Sequence, residues 1–164
     1  MSSAARPPAG EVYDWYRRGL ALLESGDAAA AEQLLAHAAA ADPTSSSIRE
    51  ALGRARLGCR RFAQSRADFA WLVQAHPDDD FAHFGLGLAL SRLGQWSAAV
   101  EQLALAVALR PERDDYVREL RHARATLRAG DEVTGRSPGL ATGRPSDTPP
   151  ASLGDGAPGE GGMR

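Results

Sequence analysis

DFAHFGLGLALSRLGQWSAAVEQLALAVALRPER, residues 80–113, holds two short helical patterns and one break between them. Phe81, Phe84, Leu86, Leu88, Leu90 and Leu93 mark the first helix, and Gly94 interrupts it. Ala98, Ala99, Val100, Leu103, Ala106, Val107 and Leu109 mark the second, which Pro111 ends. Working back along the chain, the same segment recurs at a fixed interval. Pro43, Pro77 and Pro111 are 34 residues apart, as are Gly19, Gly53 and Gly87. Leu35, Phe69 and Leu103 keep that interval, and so do Ala31, Ser65 and Ala99. Four columns aligned twice define three units, 12–45, 46–79 and 80–113.

Each unit is expected to be a helix-turn-helix hairpin. Gly26 and Gly94 make the bend in the first and third units, whereas Arg60 and Arg61 stand at the bend of the second, which must turn without glycine's backbone freedom. Gly19, Gly53 and Gly87 face Ala31, Ser65 and Ala99 across each hairpin, where the two backbones come closest. The pattern Leu86-Gly87, Leu93-Gly94-Gln95-Trp96, Ala99, Leu103, Ala106 and Pro111 resembles the tetratricopeptide repeat family. The first unit matches it through Trp15, Gly19, Leu22, Gly26, Ala31, Leu35, Ala38 and Pro43. The second departs from it at Arg56, Arg60 and Ser65, where the family has a large apolar residue, Gly and Ala. The resemblance implies an all-α, right-handed α-solenoid of three hairpins over residues 12–113. Residues 114–130, with Tyr116, Val117, Leu120, Ala123 and Leu127 on one face, read as the solvating helix that covers the last hairpin. The repeat domain is therefore expected over 11–130, between a disordered leader at 1–10 and a disordered tail at 131–164.

Composition agrees with that division. The chain has 164 residues, 43% hydrophobic and 24% charged, with a formal net charge of −2. Eight Gly and five Pro fall within residues 131–164, which carry almost no large apolar side chain and so cannot offset chain entropy by burial. All 19 basic residues are Arg, Asn is absent and Ile48 is the only isoleucine, the mark of a GC-rich, bacterial coding sequence rather than of a nucleic-acid binder. The acidic balance argues the same way. No apolar run is long enough to span a membrane, and Met1 to Pro8 lacks the apolar core of a secretory signal. Cys59 is the only cysteine, which excludes an internal disulfide or a Cys-based zinc site. A cytoplasmic address follows as the expectation.

The resemblance also implies a use. In tetratricopeptide arrays the first helices of successive units line a concave groove that holds an extended or helical peptide. By column, that groove comprises Tyr13, Tyr16, Leu20 and Glu24 from the first unit, and Ser47, Glu50 and Arg54 from the second. Phe81, Phe84, Leu88 and Arg92 come from the third, and Arg118 and His122 from the closing helix. Aromatic residues lie at both ends of a charged middle, the composition of interface anchors. Some family members clamp a chaperone's terminal carboxylate with Lys, Asn and Arg; here those columns hold Tyr16, Leu20, Ala51, Phe81 and Gly85, and no such clamp is expected. On the convex side His37, Trp71 and Leu105 share one column, offering a second contact surface or a route to self-association.

Chemistry is sparse. His76, Asp78, Asp79, Asp80 and His83 group within eight residues, but they span the loop between repeats, where Pro ends a helix and Asp caps the next, so helix capping accounts for the acids without a metal. Cys59 precedes a turn and reads as a small apolar filler, although Arg60 and Arg61 beside it would lower the pKa of an exposed thiol. No Ser or Cys stands in register with a His–acid pair and no phosphate loop is present. No cofactor, metal or catalytic residue is expected. The sequence points to a non-catalytic scaffold or adaptor that binds a protein or peptide segment, with no nucleic-acid or membrane partner. The alternative is a small chaperone holding a client segment, as in bacterial secretion systems.

Overall fold

The computed structural model describes residues 9–135. Seven α-helices follow one another, α1 (Ala9–Glu24), α2 (Ala28–Ala41), α3 (Ser46–Gly58), α4 (Phe62–Ala75), α5 (Asp80–Arg92), α6 (Trp96–Leu109) and α7 (Asp114–Gly135), with no strand among the described residues. Successive helices pack on one another, and α1, α3, α5 and α7 also touch in sequence, whereas α2, α4 and α6 do not touch each other. The first helices thus form an inner, concave layer and the second helices splay on the outside.

The glycine columns explain why the hairpins close. A Cβ at Gly19 would sit 2.6 Å from Leu35, one at Gly53 3.0 Å from Phe69, and one at Gly87 2.6 Å from Leu103. In each hairpin the large side chain of the second helix fills the space that the missing methyl leaves. Ser65 stands where the other units have Ala; its hydroxyl is fully buried and donates to the Gly53 carbonyl at 2.9 Å.

All three hairpins turn in the same way. Gly26, Arg60 and Gly94 take positive φ, +85°, +60° and +73°. Around each, the next residue's N–H reaches back five positions (Asp27 to Leu22, Arg61 to Arg56, Gln95 to Leu90) while the turn residue's N–H reaches back three. This paired closure satisfies carbonyls that the ending helix leaves open. Arg60 is made to adopt glycine's conformation so that its hairpin matches its neighbours.

The core is segmented along the array. Ala31, Leu35, Ala51, Leu52 and Ala55 seal the first junction, Phe69, Leu72, Ala82, Leu86, Leu90 and Ala99 the second, and Leu103, Leu120 and Ala123 the junction with α7. Each unit contacts only its neighbours, as in a one-dimensional array.

Both ends differ from the expected boundaries. The first helix starts at Ala9, inside the expected leader, and the rest of that leader, residues 1–8, lies outside the described residues. At the other end α7 does not stop at Gly130 but runs on to Gly135. A glycine inside a helix costs only about 1 kcal/mol, and no proline follows until Pro138, so nothing enforces a stop. The remaining expected tail, 136–164, lies outside the described residues.

Candidate functional site

The inner face carries the expected groove residues in varied states of exposure. Tyr13 is 59% exposed, and Arg54, Arg92, Arg118 and His122 are exposed, as are Glu24 and Ser47. Tyr16, Leu20, Glu50, Phe81, Phe84 and Leu88 are half-buried. The third-unit aromatics serve packing as well as display. The Phe81 ring meets Phe69 edge-on at 6.2 Å, and Phe84 stacks on Tyr116 at 4.3 Å. Phe81 and Phe84 are themselves 6.2 Å apart, and the Arg54 guanidinium lies 6.0 Å from the Phe81 ring, so an aromatic patch runs from the second unit to the last helix. Tyr16 and Leu20 lean on the first core cluster. The His122 ring contacts Trp96 edge-on at 6.1 Å.

Electrostatics distinguish the centre of the groove. Burial, with repulsion from Asp79, holds the Glu50 carboxyl above its ordinary pKa, and nearby Arg54 only partly opposes this. At the far end Tyr116 is fully buried, donates to Asp80 Oδ2 at 2.9 Å and lies beneath the Arg113 guanidinium at 4.6 Å. Arg113 in turn grips the Asp115 carboxylate through two bonds of 2.9 and 2.7 Å, which lowers the Asp115 pKa to about 2.

Arg56, the departure from the apolar column, enters an ion-pair network between units. It reaches Asp68 at 2.7 Å and Glu32 at 3.6 Å; Arg61 adds to Glu32 at 3.2 Å and Arg49 to Asp68 at 3.7 Å. Asp68 is 3% exposed and Glu32 8%. Burial raises the Asp68 pKa in spite of both arginines. Sequence reasoning identified Arg56 as unusual but not these acids, which lie on two different second helices; the signal was a pair of carboxylates in the strongly apolar segments 28–41 and 62–75.

The residues around His76 have structural partners. Asp79 caps α5 by accepting from the Ala82 N–H at 3.0 Å, Asp80 pairs with Tyr116 and Arg110, and His76 meets the Ser46 hydroxyl at 2.8 Å. His83 is buried between Gln102, 2.8 Å from Nδ1, and the Pro77 carbonyl, 3.0 Å from Nε2; a carbonyl can only accept, so Nε2 carries a proton. Arg49, in the same column as His83, repeats that geometry with Asp68 and the Pro43 carbonyl. Two different side chains thus tie Pro43 and Pro77 to the helices that follow them. No group of three or more potential ligands converges among the described residues.

Cys59 is half-buried, and its thiol pKa is raised, by burial first and then by the charge and hydrogen bonding of Glu32. Arg61 opposes this only weakly, because it pairs with Glu32, and the half-buried thiol agrees with its reading as a small filler. On the convex face Trp71 lies under the Arg49 guanidinium at 4.4 Å and is half-buried, His37 meets Trp15 edge-on at 5.4 Å, and Leu105 stays 46% exposed. The column is therefore not one continuous apolar surface.

No protein-family model matches the chain. It is 30% identical over 107 residues, 65% of its length, to the mouse superkiller complex protein 3, and the match spans 7% of that much longer relative. Among solved structures, MamA (residues 41 to the end) of Desulfovibrio magneticus RS-1 superposes with a TM-score of 0.68 at 25% identity, over 77% of this chain and 70% of that one. The first TPR domain of human RPAP3 gives 0.68 at 18% identity, over 74% and 96%. The first TPR of Spaghetti (RPAP3) bound to the HSP90 peptide SRMEEVD also gives 0.68 at 18%, over 76% and 98%. Three 34-residue hairpins in one register, with a closing helix and these likenesses, give the chain the fold of the tetratricopeptide-repeat solenoids.

Proposed function

We propose that the chain is a non-catalytic interaction module that holds a peptide segment of another protein in the groove formed by α1, α3, α5 and α7. One observation carries this reading. Tyr13, Phe81 and Phe84 present ring surface on the inner layer, Phe81 and Phe84 while also packing on Phe69 and Tyr116, and the exposed Arg54, Arg92 and Arg118 lie on the same helices or on their neighbours in that layer. Aromatic and arginine side chains gather at interface hot spots, because each buries a large area and still offers directional contacts. Structural neighbours with the same fold are bound to HSP90 and HSP70 peptides, which supports a peptide segment as the ligand class. The chemistry of this groove differs from a carboxylate clamp, since Tyr16, Leu20, Ala51, Phe81 and Gly85 offer no cationic or amide side chain to a terminal carboxylate. A peptide with apolar anchors and acidic residues between them suits it.

The test is selection of peptides from a random displayed library against the full chain, followed by titration against Tyr13→Ala/Arg54→Glu. Both side chains are exposed, so the variant should keep its helical circular dichroism. Selected peptides should lose at least about tenfold in affinity, as truncation of interface anchors does. Undiminished binding to the variant would refute the groove assignment. Binding of the peptide SRMEEVD should not depend on its terminal carboxylate, and a loss of about tenfold on amidating that carboxylate would refute the clamp argument.

A further inference from the structure

The outer face of α7 is built like half of a fourth hairpin. In the 34-residue register Arg121 takes the column of Gly19, Gly53 and Gly87, Arg124 that of Leu22, Arg56 and Leu90, and Arg128 that of the turn residues Gly26, Arg60 and Gly94. On α1, α3 and α5 this face receives the return helix of the same hairpin. On α7 the helix runs straight through the turn position to Gly135, so among the described residues no return helix covers it. What remains is a shallow depression of about 290 Å³ floored by Val117, Leu120 and Ala125 and rimmed by Arg121, Arg124 and Arg128. None of these three arginines has an ion-pair or hydrogen-bond partner among the described residues, whereas Arg49, Arg56, Arg61, Arg110 and Arg113 all do.

We propose that this face docks one acidic amphipathic α-helix of a partner protein, lying where a return helix would lie. Its apolar stripe would cover Ala125 and the exposed part of Val117, and its carboxylates would pair with Arg121, Arg124 and Arg128. Arginine spacing of three and four residues along one helix face suits a second helix carrying acids at the same spacing. Charge selects the occupant. A second copy stacked end to end would offer the end face of α1, where exposed Asp14, Arg17 and Arg18 bring no acidic excess to these arginines. Residues 136–164 hold Arg136, Arg144 and Arg164 against Asp147, Asp155 and Glu160, and so bring no acidic excess. A nucleic acid would also meet Asp114, Asp131 and Glu132, which are exposed at the two ends of the same helix. The surface is separate from the inner groove and stands whether or not the groove binds peptides.

The probe is a labelled synthetic helix of about 16 residues with a leucine stripe flanked by glutamates, paired with a control in which lysines replace the glutamates. Anisotropy titrations against the full chain should show binding of the glutamate helix and at least about tenfold weaker binding of the lysine helix. Arg121→Glu/Arg124→Glu should reverse that preference, and Arg121→Gln/Arg124→Gln should weaken the glutamate helix without favouring the lysine one. Tyr13→Ala/Arg54→Glu should leave the binding unchanged. Circular dichroism checks that each variant keeps its helix content. The proposal is overturned if the glutamate helix does not bind, if both helices bind equally, if charge reversal leaves the preference intact, or if a short DNA duplex binds more tightly than the glutamate helix.

Discussion

Arg60 holds a φ of +60°, a conformation that carries a side-chain penalty of about 1–2 kcal/mol in any residue but glycine. Its side chain is exposed and makes no hydrogen bond or ion pair, so nothing local returns that cost. The hairpin keeps the turn because the flanking closure, Arg61 N–H to the Arg56 carbonyl at 2.8 Å, and the packing of α3 on α4 fix the path of the chain. Arg60→Gly should therefore stabilise the protein by about 0.5–1 kcal/mol once glycine's extra freedom in the unfolded chain is subtracted. A higher urea midpoint at unchanged slope would show it; an unchanged or lower midpoint would mean that Arg60 has a role in the folded state which its contacts do not reveal. The sequence made this position visible, since it broke a column of glycines. How the bend was made was not visible, because a left-handed residue is a backbone property that the residue's identity does not announce.

At the scale of elements, the 34-residue columns carried the fold: which helices pair, which residues lie at close approach, and where each loop falls. They could not supply contacts between residues in different columns. Arg56 was legible as an anomaly, but its partners Glu32 and Asp68 occupy two other columns on α2 and α4, and only the packed array brings them to it. The groove was legible in the same partial way. Its residues were named from their columns, but the stacking of Phe84 on Tyr116 depends on how α7 docks, which no repeat periodicity specifies. The network yields a prediction because its neighbours show what apolar packing would look like. Arg56→Leu copies Leu22 and Leu90 but leaves buried Asp68 with only Arg49 at 3.7 Å and Glu32 with only the exposed Arg61, and should cost about 3 kcal/mol. Adding Glu32→Val, as at Val100, and Asp68→Leu, as at Leu34, should recover that loss or exceed it, since only Arg49 and Arg61, which reach solvent, remain, and apolar replacement of buried ion partners is neutral or stabilising by about 1–4 kcal/mol. Urea unfolding of the single and triple variants checks both signs, and a triple variant no more stable than the single one would show that the network is more than a costly substitute for apolar packing.

Across the whole molecule, 21 acidic residues nearly balance 19 arginines, so stability against pH depends on a few perturbed carboxyls rather than on net charge. Glu50 and Asp68 both have raised pKa values, chiefly through burial, and they sit at opposite faces of the second unit. A carboxyl whose pKa is higher in the folded state binds its proton more tightly there, so its contribution becomes more favourable as pH falls through the folded value towards the unfolded one. Asp115 acts in the opposite sense. Its pKa, lowered to about 2 by Arg113, gives a contribution present above the ordinary value of 3.8 and lost as pH drops towards 2. Glu50 and Asp68 add stability as pH falls towards their ordinary values of 4.5 and 3.8, whereas Asp115 loses its contribution as pH falls from 3.8 towards 2. In the array each unit meets only its neighbours, so a gain in the central unit strengthens both of its junctions and appears in global unfolding. The urea midpoint should therefore rise as pH falls from 7 towards 4.5 from these two groups. Glu50→Gln, which removes the buried charge and its repulsion from Asp79, should raise the midpoint at pH 7 and flatten the rise. A midpoint that falls over this range in the wild type, with the same slope in Glu50→Gln, would show that the buried carboxyls are compensated by their arginines and that the central unit carries no stored electrostatic cost.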